Sequence, residues 1–122
     1  LKLILQPIVE NAVCHGLNPC SNTNGRIYIS VNRENNDLVI EIRDNGVGMS
    51  KEKLDFLRAS INESFLIDEQ DIGEARHIGL RNVNSRIQLY YGRNYGLSIE
   101  SSNQMGTSVI ARIPIIGGIQ DV

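Results

Sequence analysis

A carboxylate stands where a β-strand pattern ends, and it is the first candidate for chemistry in this 122-residue chain. Counting by twos from Ile40 and Ile42 places Asp44 on the same face as these apolar side chains. A carboxylate at the buried end of a strand needs hydrogen-bond donors, which a backbone turn or the exocyclic amine of a purine would supply. Gly46 and Gly48 follow and lack a Cβ, so a flat ring can approach the backbone closely. The position of Asp44, followed by two glycines, therefore predicts either a turn capped by this side chain or a purine-binding site.

An asparagine within the first helical pattern is a candidate metal ligand. The pattern runs from Leu1 to Leu17, with Pro7 predicted in the first turn of its regular part. Asn11 lies on the polar arc together with Cys14 and His15. A neutral amide oxygen suits one position of an octahedral Mg²⁺ whose other ligands are waters and phosphate oxygens. Taken alone, Asn11 is better explained as a solvent-facing residue, and His15 as a residue near a helix end.

Two glycines are candidates for contact with a phosphate or a base. Gly79 opens a second helical pattern, whose first amide groups and dipole favour an anion, and Arg81 and Asn82 add donors. Gly106 and Thr107 lie in the turn predicted between the last two strands. Gly79 is also consistent with a flexible hinge at the end of a loop, and Gly106 is well explained by an ordinary hairpin turn that needs no ligand. The order of these sites along the chain therefore carries more weight than any one of them.

The elements that would position these residues alternate between helices and hairpins. Alternating apolar residues predict antiparallel hairpins over residues 27–44 and 95–113. Between them, a short helix is predicted over 50–60 with a serine N-cap, and a longer one over 78–91 with a glycine C-cap. This order predicts an α+β fold, a two-layer α/β sandwich with helices packed on one face of a mixed, largely antiparallel sheet. The residues predicted to face the core from the long helices are Leu5, Ile8, Val9, Ala12, Val13, Leu80, Val83, Ile87, Tyr90 and Tyr91.

Composition limits the possible function classes. The net charge is −2 and no run of Lys or Arg occurs, so nucleic-acid binding is not expected. Cys14 and Cys20 are too few for a disulfide scaffold and lack zinc-ligand spacing. No signal peptide or membrane-spanning run is visible, so the chain is expected to be soluble. Because it begins with Leu1 inside a helical pattern, it is expected to be a piece of a longer protein.

Taken in order, the candidate sites resemble the conserved boxes of sensor histidine kinases. Residues 5–17, LQPIVENAVCHGL, resemble the N box, and residues 44–49, DNGVGM, resemble the first glycine box. Residues 78–92, IGLRNVNSRIQLYYG, are similar to the second box of the YesM/LytS-type branch, and Gly106-Thr107 stands where the last box is expected. The resemblance covers nearly the whole chain, and four boxes in order are a specific signal.

The resemblance implies a Bergerat-fold ATP-binding domain over residues 1–116, with residues 117–122 as a disordered tail. It implies that Asn11 holds Mg²⁺ with Glu10 beside it in the catalytic centre, and that Asp44 accepts a hydrogen bond from the adenine amino group. Residues 62–77 would form a lid over the triphosphate. The ATP-binding residues implied by position are Asn11, His15, Asp44, Gly46, Gly48, Met49, His77, Gly79, Leu80, Arg81 and Thr107.

Three departures from the family pattern bear on activity. Cys14 stands where many members carry a basic residue, and His77 stands where a glycine is common. Pro7 occupies the position from which a glutamate activates water in the ATPase relatives. Because proline cannot act as a base, the resemblance favours transfer of the γ-phosphoryl group over efficient hydrolysis.

The leading hypothesis is the catalytic domain of a two-component sensor histidine kinase. It would bind Mg-ATP and pass the γ-phosphoryl group to a histidine on an upstream dimerisation domain, with a response regulator as the next partner. Neither His15 nor His77 has the context of such an acceptor, so the chain alone is not expected to phosphorylate itself. The full-length protein is expected to be a membrane-anchored homodimer with this domain in the cytoplasm. The alternatives are a Bergerat ATPase of another branch and a degenerate domain that binds a partner without catalysis.

Overall fold

The computed structural model of the chain describes residues 2–13, 25–62 and 78–115. The elements in this part are α1 Lys2–Asn11, β1 Ile27–Glu34, β2 Asp37–Asp44, α2 Lys51–Asn62, α3 Ile78–Tyr91, β3 Gly96–Ser101 and β4 Thr107–Pro114. Their order confirms the predicted alternation of helices and hairpins. None of the described helices combines the length and apolar character needed to cross a membrane.

The four described strands form one sheet with the order β1-β2-β4-β3. Each hairpin contributes an edge strand and a central strand, and the hairpins meet where β2 pairs with β4. All pairings among these strands are antiparallel. In the central pair Asp44 lies opposite Thr107, so the end of the first hairpin reaches the turn of the second.

The core lies between the helices and one face of the sheet, which confirms the predicted two-layer sandwich. The chain has no tryptophan, and branched aliphatic side chains fill most of this space. Their burial supplies the main stabilising free energy of the fold. The core residues are Ile4, Ile8, Ile40, Ile42, Leu54, Leu57, Ile61, Leu80, Val83, Ile87, Ile99, Val109, Ala111 and Ile113.

The regular part of the first helix begins earlier than predicted. α1 starts at Lys2 and holds Pro7 in its interior, so the prediction that Pro7 stands in the first turn is wrong. A proline inside a helix removes one backbone hydrogen bond, and the complete burial of Ile4 and Ile8 on either side offsets that loss. A Cβ placed on Gly79 of α3 would lie 3.8 Å from the Cβ of Pro7. Pro7 is therefore a packing contact between α1 and α3.

Two residues predicted to face the core are exposed. Val13 follows the end of α1 and is 39% exposed, and Tyr90, near the end of α3, is 65% exposed. In β1, Ile29 and Val31 lie opposite the core residues Ile42 and Ile40 but are also about half exposed, at 52% and 50%. β1 is an edge strand, and the helices pack chiefly on the β3 and β4 side of the sheet.

The predicted N-cap of α2 and C-cap of α3 are confirmed by their hydrogen bonds. Ser50 Oγ accepts from the Lys53 N–H at 3.2 Å, as an N-cap does. Gly92 has a φ of +104° and its N–H donates to the Gln88 carbonyl at 2.9 Å, which closes α3. α2 extends to Asn62, two residues beyond the predicted Ser60.

Candidate functional site

Asp44 is a buried carboxylate at the end of β2. The residue is 4% exposed, as the alternation along the strand predicted. One carboxylate oxygen accepts from the Gly46 N–H at 2.8 Å, and the Thr107 N–H also donates to this side chain. Burial raises the pKa of Asp44 above its ordinary value, and the two N–H groups partly oppose that rise. A carboxylate has about four lone-pair positions, so Asp44 retains acceptor capacity for a ligand.

The turn after β2 packs tightly against the hairpin turn between β3 and β4. Gly48 has a φ of +68°, and a Cβ there would overlap the carbonyl oxygen of Ser102. The Gln104 N–H donates to the Val47 carbonyl at 2.6 Å, which joins the two turns directly. Two segments of the predicted site, distant in sequence, therefore form one continuous surface.

Ser101 connects this surface internally, although it lies in none of the predicted site motifs. Its Oγ accepts from the Met49 N–H at 2.9 Å and donates to the Gly106 carbonyl at 2.8 Å. It also lies 2.9 Å from the Thr107 hydroxyl oxygen. A signal was present in the alternation of β3, because Ser101 lies two residues after the buried Ile99. A hydroxyl on the core face of a strand needs hydrogen-bond partners.

On α1 and α3, two helices that pack against each other, two buried polar atoms have no hydrogen-bond partner among the described residues. They are Asn11 Oδ1 and Arg81 Nε. An unsatisfied buried polar group costs roughly 1–3 kcal/mol, so such atoms are typical of a site that a ligand completes. The amide oxygen suits a cation and the guanidinium suits an anion.

The other predicted residues on these two helices are placed differently. Gly79 is the second residue of α3, as predicted, and faces Pro7. Leu80 is buried in the core, so only its backbone can meet a ligand. Glu10 is exposed and its carboxylate accepts from Gln6 Nε2 at 3.1 Å.

Several predicted residues lie outside the part of the chain that the structure describes. These are Cys14, His15 and His77, together with the tail 117–122. Of the predicted lid, 62–77, only Asn62 is described, and it is the last residue of α2. Gly46 and Met49 are described: Gly46 is buried beside Asp44, and Met49 is half-buried against the core.

Residues 1–116 match the family described as "Histidine kinase-, DNA gyrase B-, and HSP90-like ATPase". The chain belongs to this family. The resemblance to histidine kinases predicted from the sequence is thereby confirmed, and the finer assignment to the YesM/LytS-type branch stays a prediction.

Sequence relatives of this ATPase-family domain include proteins named "Sensor protein kinase HptS" from Staphylococcus aureus. Two of them, from different strains, are each 33% identical to it over 121 residues. The match covers 99% of the chain but 21% of each relative, so the chain spans about a fifth of the curated relatives it matches.

Solved structures with a similar fold include histidine kinase domains. The catalytic domain of histidine kinase ThkA, in a nucleotide-free form, superposes with a TM-score of 0.63 at 20% identity, over 93% of this chain and 64% of that one. The histidine kinase domain of the Erythrobacter litoralis EL346 blue-light activated kinase gives a TM-score of 0.58 at 16% identity, over 93% of this chain and 42% of that one. The ATPase-family domain therefore has the fold of histidine kinase catalytic domains, which confirms the predicted Bergerat fold.

Proposed function

We propose that this domain is the ATP-binding catalytic domain of a two-component sensor histidine kinase. It binds Mg-ATP and delivers the γ-phosphoryl group to a histidine on an upstream dimerisation domain. The observation that carries the proposal is the buried Asp44 carboxylate, held by two backbone N–H groups beneath closely packed turns. Membership of the ATPase family and similarity to sensor kinases support the same function.

Asp44 is suited to recognise the amino group of adenine. Its two backbone donors, from Gly46 and Thr107, orient the carboxylate and leave acceptor positions open. Because the residue is 4% exposed, water competes poorly for those positions. Gly48 and the half-buried Met49 lie in the adjoining turn and are proposed to line the base pocket.

Residues on the packed helices α1 and α3 fit a site for magnesium and phosphate. Asn11 Oδ1 is a buried oxygen without a partner among the described residues, which suits a hard cation. Arg81 Nε and the first amide groups of α3 at Gly79 are donors for phosphate oxygens. When bound, Mg²⁺ would neutralise charge on the triphosphate during an in-line transfer. Glu10, His15 and His77 are proposed to assist this site on the family resemblance alone.

Pro7 favours transfer over hydrolysis. It lies one helical turn before Asn11, at the position that the resemblance assigns to the water-activating glutamate of ATPase relatives. Its ring packs toward Gly79 and offers no basic atom. The domain is therefore proposed to position ATP for an external acceptor.

The rest of the signalling system is proposed from the longer relatives, of which this chain spans about a fifth. Other parts of the full-length protein would supply the phospho-accepting histidine, the dimer contacts and a membrane anchor. The domain would lie on the cytoplasmic side, and a response regulator would receive the phosphoryl group.

A nucleotide titration of the domain tests the proposed function. We expect ATP to bind, Mg²⁺ to strengthen that binding, and GTP to bind far more weakly, as measured by calorimetry with and without EDTA. ATP at about 100 times its Kd should stabilise the fold by roughly 2.7 kcal/mol in thermal unfolding. Sustained ATP hydrolysis by the domain would favour an ATPase of another branch. An absence of binding to any nucleotide would favour the degenerate, partner-binding alternative.

Replacing Asn11 with leucine should separate metal binding from nucleotide binding. The amide oxygen is lost while the number and branching of the side-chain heavy atoms are kept, so the gain in ATP affinity on adding Mg²⁺ should fall by about tenfold. Affinity in EDTA should remain close to that of the unmodified domain. Removing an unpaired buried oxygen should also leave the fold at least as stable.

The matched control is Asn32→Leu, the same substitution at an exposed position of β1. It should leave both affinities unchanged. If Asn11→Leu weakened binding equally with Mg²⁺ and with EDTA, Asn11 would not be the metal ligand.

A further inference from the structure

We propose that Ser101 is a positioning residue that fixes the Thr107 hydroxyl as a hydrogen-bond acceptor, and that it thereby makes the site select 6-amino over 6-oxo purine nucleotides. The inference rests on the proposed ATP-binding function. It concerns the polarity of the base pocket, which depends on a residue that does not itself face the ligand.

The Ser101 hydroxyl donates its single proton to a hydrogen bond within the protein. Ser101 Oγ lies 2.8 Å from the Gly106 carbonyl oxygen, which can only accept, so Ser101 donates its proton there. The Met49 N–H donates to the same Oγ at 2.9 Å. Ser101 therefore has no second proton for the 2.9 Å contact with Thr107 Oγ1. In that contact Thr107 must be the donor.

This assignment determines what Thr107 offers to a ligand. With its proton directed to Ser101, the Thr107 hydroxyl presents only lone pairs elsewhere. Thr107 is 8% exposed, lies opposite Asp44 in the ladder and donates its N–H to the Asp44 carboxylate. The paired strand ends thus place an acceptor hydroxyl on the residue that lies opposite an acceptor carboxylate.

Two adjacent acceptors match a 6-amino group on a purine and do not match a 6-oxo group. The 6-amino group of adenine has two N–H donors, whereas the 6-oxo group of hypoxanthine or guanine is an acceptor. An oxygen in that position would face two acceptors and lose its hydrogen bonds on entering the pocket, which is strongly unfavourable in a buried site. Free rotation of the Thr107 hydroxyl would weaken this selection, because the group could then donate to an oxygen.

The test compares ATP with inosine triphosphate, which carries an oxygen at position 6 and lacks the 2-amino group of guanine. In Ser101→Ala the Thr107 hydroxyl loses its acceptor and is free to rotate and donate to an oxygen at position 6. The Kd for inosine triphosphate divided by the Kd for ATP should therefore fall by about tenfold. Ser101→Thr keeps a hydroxyl and should retain the original ratio. Ser102→Ala, an exposed serine next in the chain, is the matched control and should change neither Kd.

A double-mutant cycle shows whether Ser101 acts through Thr107. Thr107→Val should lower the ratio by itself, and adding Ser101→Ala to it should produce no further change in the ratio. A merely structural role would weaken both nucleotides equally and leave the ratio constant in Ser101→Ala, which would overturn the proposal. If Ser101→Ala fails to fold, an unchanged ratio in Thr107→Val overturns it in the same way.

The proposed function and this inference fail in different ways. If the unmodified domain binds no ATP, the proposed function fails and the inference falls with it. If the domain binds ATP through Asp44 but substitution of Ser101 or Thr107 leaves the ratio of the two Kd values unchanged, only the inference fails.

Discussion

Replacing Asp44 with asparagine is expected to lower the affinity for ATP by about 100-fold or more without loss of the fold. The amide cannot offer two acceptor oxygens, and its NH₂ group would oppose the amino group of adenine. A lost charged hydrogen bond together with an unmatched donor in a buried site is worth roughly 3 kcal/mol or more, which corresponds to this change in Kd. Calorimetric titration with Mg-ATP measures it.

The same substitution should leave the free domain as stable as before, or more stable, at neutral pH. Burial raises the pKa of Asp44, so the folded state binds its proton more tightly than the unfolded state. That stabilising contribution is full below the unfolded pKa and is lost as the pH rises through the folded pKa. At neutral pH, burial of the ionised Asp44 side chain therefore lowers the stability of the fold, and burial of an uncharged asparagine does not.

Denaturant unfolding across pH tests this explanation. The stability of Asp44→Asn relative to the unmodified domain should be highest at neutral pH and should diminish in acid, where Asp44 is protonated. Asp55→Asn is the matched control, because Asp55 is exposed on α2 and pairs with the neighbouring Lys51 at 3.3 Å. It should leave ATP affinity unchanged. Unaltered ATP affinity in Asp44→Asn would contradict the base pocket.

Replacing Gly106 with alanine is expected to damage both the fold and the site. Gly106 has a φ of +85°, and a Cβ there would overlap the backbone carbonyl of Asp44. Left-handed backbone at a residue other than glycine costs on the order of 1–3 kcal/mol, and overpacking typically adds 1–3 kcal/mol. A loss of about 3 kcal/mol or more in the free energy of unfolding is expected. ATP affinity should fall as well, because the overlap displaces Asp44 and Thr107 together.

Gly92→Ala provides the control that separates strain from overlap. Gly92 has a φ of +104°, but a Cβ there would meet nothing within 4 Å. This variant should lose only the conformational part, about 1–3 kcal/mol, and should bind ATP normally. Denaturant midpoints and ATP titrations compare the two. Equal losses of stability with intact ATP binding in both variants would show that the close approach to Asp44 is unimportant.

The parts of this domain that follow from neighbouring residues were predictable from the sequence. Alternation along β2 correctly predicted that Asp44 is buried. Ser50 correctly predicted the start of α2, and Gly92 correctly predicted the end of α3. These features depend on side chains only a few positions apart, whose geometry is set by the strand or helix itself. The order of the boxes also identified the family, because the spacing of several functional segments is recorded in the chain.

The sequence was less informative where burial depends on neighbouring elements. Ile29 and Val31 alternate as a half-buried strand would, yet they lie on an edge that the helices leave largely uncovered. Pro7 suggested a helix start, yet burial of Ile4 and Ile8 extends the helix before it. Local patterns cannot show which surface another element will cover.

What the amino-acid sequence determined by itself was the order of elements, the buried acid and the family. The tertiary structure alone decided how the site is assembled. Met49 and Ser101 are hydrogen-bonded across a separation of 52 residues, and Gly48 and Gly106 are constrained by backbone atoms from the opposite turn. The buried Asn11 and Arg81 atoms, which have no partner among the described residues, likewise lie on two helices that are distant in sequence and pack together. Contacts of this kind exist only once the hairpins and helices pack together, so no pattern of adjacent residues could specify them.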